Sequence, residues 1–107
     1  MIAVSTQKSP APVREHEHWD LRLYVADRTP RSIRAYVNLK IICEERLSKR
    51  YHIRVIDVLS HPEIARAEQI VAVPTVVRMR PKPVRTAVGD LSDTDRLVSG
   101  LALGQGI

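Results

Sequence analysis

Cysteine is nearly absent from this chain of 107 residues: Cys43 stands alone. One thiol makes no internal disulfide and leaves no cysteine cluster for zinc. Aromatic residues are scarce too, at 4%: Trp19, Tyr24, Tyr36 and Tyr51, with no phenylalanine. Proteins that read single-stranded nucleic acid stack bases on aromatic rings beside their cations, so the shortage turns a basic chain toward a protein partner. The four glycines all lie at Gly89 or beyond, which leaves no glycine-rich phosphate loop and no expected cofactor. No apolar run approaches the roughly 20 residues that cross a bilayer. Residues 1–12 hold no stretch of signal-peptide length. These absences point to a cytoplasmic protein without membrane or nucleic-acid partners.

What is present suits one domain. The hydrophobic fraction is 44%, and the net charge is +5 with a pI near 9.9. A basic balance of this size selects anionic partners, among them acidic protein surfaces. Residues 1–18 lack periodicity and hold Pro10 and Pro12, which reads as a flexible tail. Residues 19–103 form the domain, and residues 104–107, with Gly104 and Gly106, form a loose end.

Within the domain, Leu21, Leu23 and Val25 alternate with Arg22 and Tyr24, a strand period. Thr29 and Pro30 open a helix as N-cap and first residue. That helix extends to about Lys49, with Ile33, Tyr36, Leu39, Ile42, Cys43 and Leu47 as its apolar stripe. The nearly continuous apolar run Ile53, Val55, Ile56, Val58 and Leu59 suits a central strand buried on both faces. These three elements make a parallel βαβ unit.

Pro62 opens a short helix through Ile64, Ala65 and Ile70. Residues 75–79 read as a strand, Pro81-Lys82-Pro83 as a turn, and Val84, Thr86 and Val88 as a further strand. Ser92 with Asp95 resembles a capping box ahead of Leu97, Val98 and Leu101. The order is βαβαββα, an α/β single domain of thioredoxin type. Pro74 stands where thioredoxin-like folds commonly hold a cis proline.

The chemistry of a redox thioredoxin is missing. Its Cys-x-x-Cys pair belongs at the start of the first helix, and that place reads Ala26-Asp27-Arg28-Thr29-Pro30-Arg31-Ser32. Cys43 falls on the apolar side of the helix and reads as a small buried hydrophobe. His16 and His18 stand in the tail with no third ligand for a metal. Asp57 reads as a cap on a neighbouring loop. No serine has a nucleophile motif. An enzyme is therefore not expected. From Pro74 to Gly89 the charged residues are Arg78, Arg80, Lys82 and Arg85, with no acid among them. Alternation places Arg78 and Arg80 on one face of a strand, the exposed side or edge of the sheet. Arg34 and Arg54 are candidates for the same patch. Reversing Arg78 and Arg85 is then expected to abolish partner binding and leave the fold intact.

Several stretches together resemble the KaiB family of bacterial circadian-clock proteins. They are Leu21-Arg22-Leu23-Tyr24-Val25-Ala26 with Thr29-Pro30, Arg54-Val55-Ile56-Asp57-Val58-Leu59, Val73-Pro74-Thr75, Pro83-Val84-Arg85, Gly89-Asp90-Leu91-Ser92-Asp93 and Gly100-Leu101. The resemblance implies a regulator that binds a KaiC-like ATPase ring and modulates its phosphorylation cycle. It also implies two folds: a binding-competent monomer of thioredoxin type, and a resting homo-oligomer, tetramer or dimer, that keeps the first βαβ half and repacks the second. A KaiA-like protein or a clock histidine kinase is a further implied partner. By the same resemblance Arg34, Arg54, Arg78 and Arg85 take up basic partner-binding positions. Pro74 takes the family's cis proline, and Gly100 a glycine that biases the fold switch, with Gly89 and Asp90 in the adjoining motif. The sensor domain of the clock kinase SasA shares the first half, and that adaptor role is the alternative, as is a basic nucleic-acid module. Departures are Asp27 and Arg28 in the first loop, Trp19 for a tyrosine, Lys82 within the proline run and Ala102 for an aspartate. They favour the thioredoxin-like monomer over the resting form.

Overall fold

The computed structural model describes residues 18–48 and 50–103. The tail over residues 1–17, Lys49 and the end over 104–107 lie outside the described residues, and with them His16. The elements are β1 (Trp19–Val25), α1 (Pro30–Leu47), β2 (Tyr51–Asp57), α2 (Pro62–Ala67), β3 (Thr75–Arg80), β4 (Arg85–Val88) and α3 (Thr94–Leu101). The βαβαββα order is the expected one.

α1 begins where its caps dictate. The Thr29 side chain accepts from the Ser32 N–H, and Pro30 occupies the first helical position. The Ser32 hydroxyl in turn accepts from the Ala26 N–H at 3.3 Å, tying the helix start to the end of β1. The helix ends at Leu47, short of Lys49. Its buried stripe is Ser32, Ala35, Leu39, Ile42, Cys43 and Leu47; Leu39, Ile42, Cys43 and Leu47 are as expected, whereas in the first two turns Ser32 and Ala35 face inward and Ile33 and Tyr36 are exposed.

The sheet has the order β2-β1-β3-β4. β1 pairs with β2 in parallel, with Leu21 opposite Ile53 and Arg22 opposite Arg54. It pairs with β3 antiparallel, with Leu23 opposite Val76. The central strands are therefore β1 and β3. β2 is an edge strand with Val55 exposed, and Leu59, beyond its end, is exposed as well. An apolar run specifies a strand, but not how many neighbours it has.

The two faces of the sheet are unequal. α1 and α3 cover one, where Leu21, Leu23, Val76, Leu39, Leu97, Leu101 and Leu103 join a large core. Each such leucine contributes about 1.5–3 kcal/mol by leaving water. On the other face the buried hydrophobic residues, among those described, are Tyr24, Ile56 and Val77, with Ile64 and Ile70 packed on them. α2, six residues long, buries none of its own side chains. In β4 the residue that packs on the large core is Ala87, whereas Thr86 and Val88, with Val84 just before the strand, are exposed.

The cap of α3 is Asp93, whose side chain accepts from the Arg96 N–H at 3.1 Å. Ser92 is not the cap. Its N–H and hydroxyl both donate to Asp90. Val73–Pro74 is cis as expected, as are Arg80–Pro81 and Lys82–Pro83 in the turn after β3.

Asp57 caps a loop, as its place at the end of β2 suggested. Its carboxylate accepts from the N–H of Asp27 at 3.1 Å and of Leu59 at 2.9 Å, and from the Ser60 hydroxyl. The Leu59 N–H bond is the main cause of a carboxyl pKa below the ordinary 3.8, followed by the Asp27 N–H. A carboxyl depressed in the fold stabilises it fully above the unfolded value, and that contribution disappears as pH falls through the folded value. Asp57→Ala should therefore lie closest in stability to the parent chain in strong acid, diverge from it as pH rises toward 3.8 and keep a constant gap above that value. Urea midpoints measured at a series of pH values check this; parallel curves for parent and variant would remove Asp57 from the account.

Candidate partner-binding surface

The six expected cations do not form one patch. Arg78 departs furthest from expectation. It is 4% exposed. Its Nη1 donates to the Leu101 carbonyl at 2.8 Å and its Nη2 to the Pro83 carbonyl at 2.9 Å. Its guanidinium also lies over the Trp19 ring, 5.0 Å from the centroid. One side chain thus links β1, the turn after β3 and the last carbonyls of α3, where a cation suits the helix dipole.

Arg78 and Arg80 do not share a face. The β1–β3 register shifts between Asp20 and Leu21, which lie opposite Arg80 and Arg78. β3 carries one extra residue there, and such a bulge breaks the alternation the sequence reading relied on. Arg80 is exposed, with Lys82 and Arg85 following it through the turn into β4. The exposed cations at this end are therefore Arg80, Lys82 and Arg85. Reversal of Arg78 is not neutral to the fold.

Arg34 lies on α1 at the opposite end of the sheet and pairs with Asp90, Nε to Oδ2 at 3.5 Å. Asp90 is held below the ordinary carboxyl range, first by the Ser92 hydroxyl and N–H and then by Arg34. The Asp90 carbonyl accepts from the Asn38 side chain at 2.9 Å. Gly89 has φ of +113°, a conformation that side chains other than glycine's rarely adopt. Leu91 follows at φ +65° with its side chain buried. The Gly89–Asp93 motif is thus a fixed loop that joins β4 to α3 and is fastened to α1. At Gly100 the helix α3 approaches β4: a Cβ there would meet the Ala87 Cβ at 3.7 Å and the Thr86 carbonyl at 3.8 Å. That is ordinary contact, and it leaves room for little more than a methyl group.

Arg54 lies on the β2 edge, directly beside Arg22 on β1, a pairing that no reading of either segment alone reveals. A groove of about 500 Å³ runs between β4, the Gly89–Asp93 loop and α3, with Arg31 and Arg96 at its rim. Sequence reasoning missed Arg31 and Arg96, since nothing in the intervening segments signals that they converge.

The place of a redox pair holds the Thr29 cap of α1. Burial pushes the Cys43 thiol up to about 12, far from the thiolate a redox centre needs. Among the described residues no group of three metal-ligating side chains occurs. No described helix is long and apolar enough to cross a membrane.

Comparison with known proteins gives one consistent result. Residues 22–103 match the family model described as the KaiB domain. A curated relative from Microcystis aeruginosa, the circadian clock oscillator protein KaiB, is 47% identical over 83 residues, covering 78% of this chain and 80% of that protein. Among solved structures, the N-terminal domain of Synechococcus elongatus SasA superposes with a TM-score of 0.67 at 25% identity, covering 92% of this chain and 97% of that domain. The Drosophila melanogaster thioredoxin Deadhead superposes with a TM-score of 0.62 at 17% identity over 81% of each chain, a likeness of fold alone.

Proposed function

Because this chain belongs to the KaiB family, we propose that it is a clock regulator that docks on a KaiC-like ATPase ring and modulates its phosphorylation cycle. The match over residues 22–103 carries the proposal. It is supported by a basic chain with few aromatic residues, and by a first helix that begins in a cap rather than a thiol pair. The docking form is the thioredoxin-like one described above. Arg80, Lys82 and Arg85, with Arg54 and Arg34, are its contact cations, and Arg78 acts from inside by holding the turn that presents three of them. A KaiA-like protein or a clock kinase is a secondary partner, and the site of action is the cytoplasm.

We further propose a resting homo-oligomer in which residues beyond the βαβ unit repack. The second half joins the first through the β1–β3 pairing, the shared core of Leu97, Leu101 and Leu103 with Leu21 and Leu39, the Asn38 and Arg34 contacts to Asp90 and the contact of Arg78 with Trp19. Repacking would exchange these contacts for others of similar worth, with the two packings within a few kcal/mol of each other. Pro74, Gly89, Asp90 and Gly100 all lie in the half that would move.

The test is capture from native cytosol with the bound ATPase identified, followed by titration of the purified pair. Arg80→Glu with Arg85→Glu should weaken binding about 30-fold or more, since reversal at a complementary interface costs on the order of 2 kcal/mol or above. Circular dichroism should be unchanged. Equal affinity in the folded double variant would remove the cationic turn from the interface; no captured ATPase would sink the proposal itself.

A further inference from the structure

β4 closes one side of the sheet, and among the described residues it pairs with β3 alone. The Gly89 N–H donates to the Pro74 carbonyl at 2.9 Å. Residues that bond across an antiparallel pair alternate along the strand, so Ala87 and Arg85 also turn their backbone groups toward β3. The N–H and carbonyl groups of Thr86 and Val88 therefore point away from the sheet, along its open edge. Such an edge is ordinarily guarded by charge on both faces, by proline or by a covering element. This one instead carries Val84 and Val88, 47% and 60% exposed, with Val71 beside them at 94%. We propose that the β4 edge takes up an extended segment of another protein as an added strand, one that alternates acidic and apolar side chains.

The two faces that flank the edge select this segment. An added strand sends successive side chains to opposite faces. On the α2 side they enter a groove of about 240 Å³ whose walls include Val71, Met79, Val84 and Val88. Glu68 also lines it, so an acid is repelled there and an apolar side chain fits. On the α3 side lies the groove of about 500 Å³ with Arg31 and Arg96 at its rim. Arg85 shares that face with Ala87, two residues further on. Ala87 and Gly100 keep the groove free of bulk between these cations. The carboxylates of the groove are already engaged: Asp90 by Ser92 and Arg34, and Asp93 as the cap of α3. Among the described residues neither Arg31 nor Arg96 takes part in an ion pair. A carboxylate on this side of the added strand thus meets cations, whereas a basic side chain is repelled. Backbone pairing supplies affinity and the two grooves supply selectivity, the division of labour usual for strand addition. The edge shares Arg85 with the docking surface proposed above but does not rest on that reading.

The probe is a soluble peptide of about seven residues in which glutamate and valine alternate. It is titrated to about 2 millimolar into the isotope-labelled full chain and followed by NMR. The expected dissociation constant is below about 1 millimolar. On binding, the amides of Thr86 and Val88 should slow in hydrogen exchange by about tenfold or more, while the Gly89 amide, already bonded to Pro74, should change little. The same peptide methylated on its backbone nitrogens should not bind, and neither should one that alternates lysine with valine. Arg31→Glu with Arg96→Glu should raise the dissociation constant about tenfold or more. Both side chains are exposed, and circular dichroism verifies folding. No binding of the glutamate–valine peptide at the highest concentration would overturn the proposal. So would binding that leaves the Thr86 and Val88 amides unprotected, that survives methylation or that ignores Arg31 and Arg96. None of these readouts involves the ATPase, so docking on the ring and strand addition at β4 stand or fall separately.

Discussion

Arg78→Ala should cost about 3–5 kcal/mol of stability, since it removes two hydrogen bonds from a charged donor and leaves the buried Leu101 carbonyl and the part-buried Pro83 carbonyl without it. Loss of the contact with Trp19 adds to this. Domains of this size are stable by only about 5–15 kcal/mol in total. The variant should therefore melt well over 10 °C below the parent, at roughly 4–8 °C per kcal/mol. Lysine should not rescue it, because a single ammonium cannot reproduce a fork that reaches two carbonyls. The exposed neighbour makes the control: Arg85→Ala should change stability by under about 0.5 kcal/mol. Urea denaturation of the three variants decides the matter, and an Arg78→Ala midpoint beside that of Arg85→Ala would refute it. Any charge reversal at Arg78 thus reports on folding before it reports on binding.

Tyr24→Ala is the second large effect, at about 3–5 kcal/mol, the usual cost of emptying a large aromatic site. Tyr24 is fully buried, and with Ile56 and Val77 it makes the whole buried cluster beneath α2. The helix is short and lacks a side-chain N-cap, so it holds its place through that cluster. Removing the ring should free α2 before it disturbs the opposite face. Tyr24→Phe keeps the ring and should cost less than about 1.5 kcal/mol. Hydrogen exchange distinguishes the outcomes: amides in α2 should lose protection in the alanine variant while those of α1 keep theirs, measured where the variant remains folded. Uniform loss across both helices would show that α2 is not a separate unit.

The first half of this fold is written locally. Thr29 and Pro30 start a helix by their own chemistry, and alternation in β1 needs no distant information. The second half is not. Arg78 reads as exposed because an arginine in a strand usually is, and its burial follows from the Leu101 and Pro83 carbonyls that the chain delivers later. The bulge opposite Asp20 and Leu21 has no marker in the sequence, yet it separates Arg78 from Arg80. Ile33 and Tyr36 fit a helical stripe as well as Ser32 and Ala35 do, and only contact with the sheet chooses between them. The family resemblance was legible because it rests on ordered motifs, whereas the cationic surface depends on which side chains the tertiary structure turns inward.

The adjacency of Arg22 and Arg54 bears on the sheet itself. The two arginines stand side by side on neighbouring strands, a pairing of like charges that weakly disfavours the sheet, and Asp20 and Glu68 offset the charge on Arg22. Arg54→Glu would turn that strand pair into an attractive one, so the substitution should strengthen the β1–β2 edge slightly even as it removes an exposed cation.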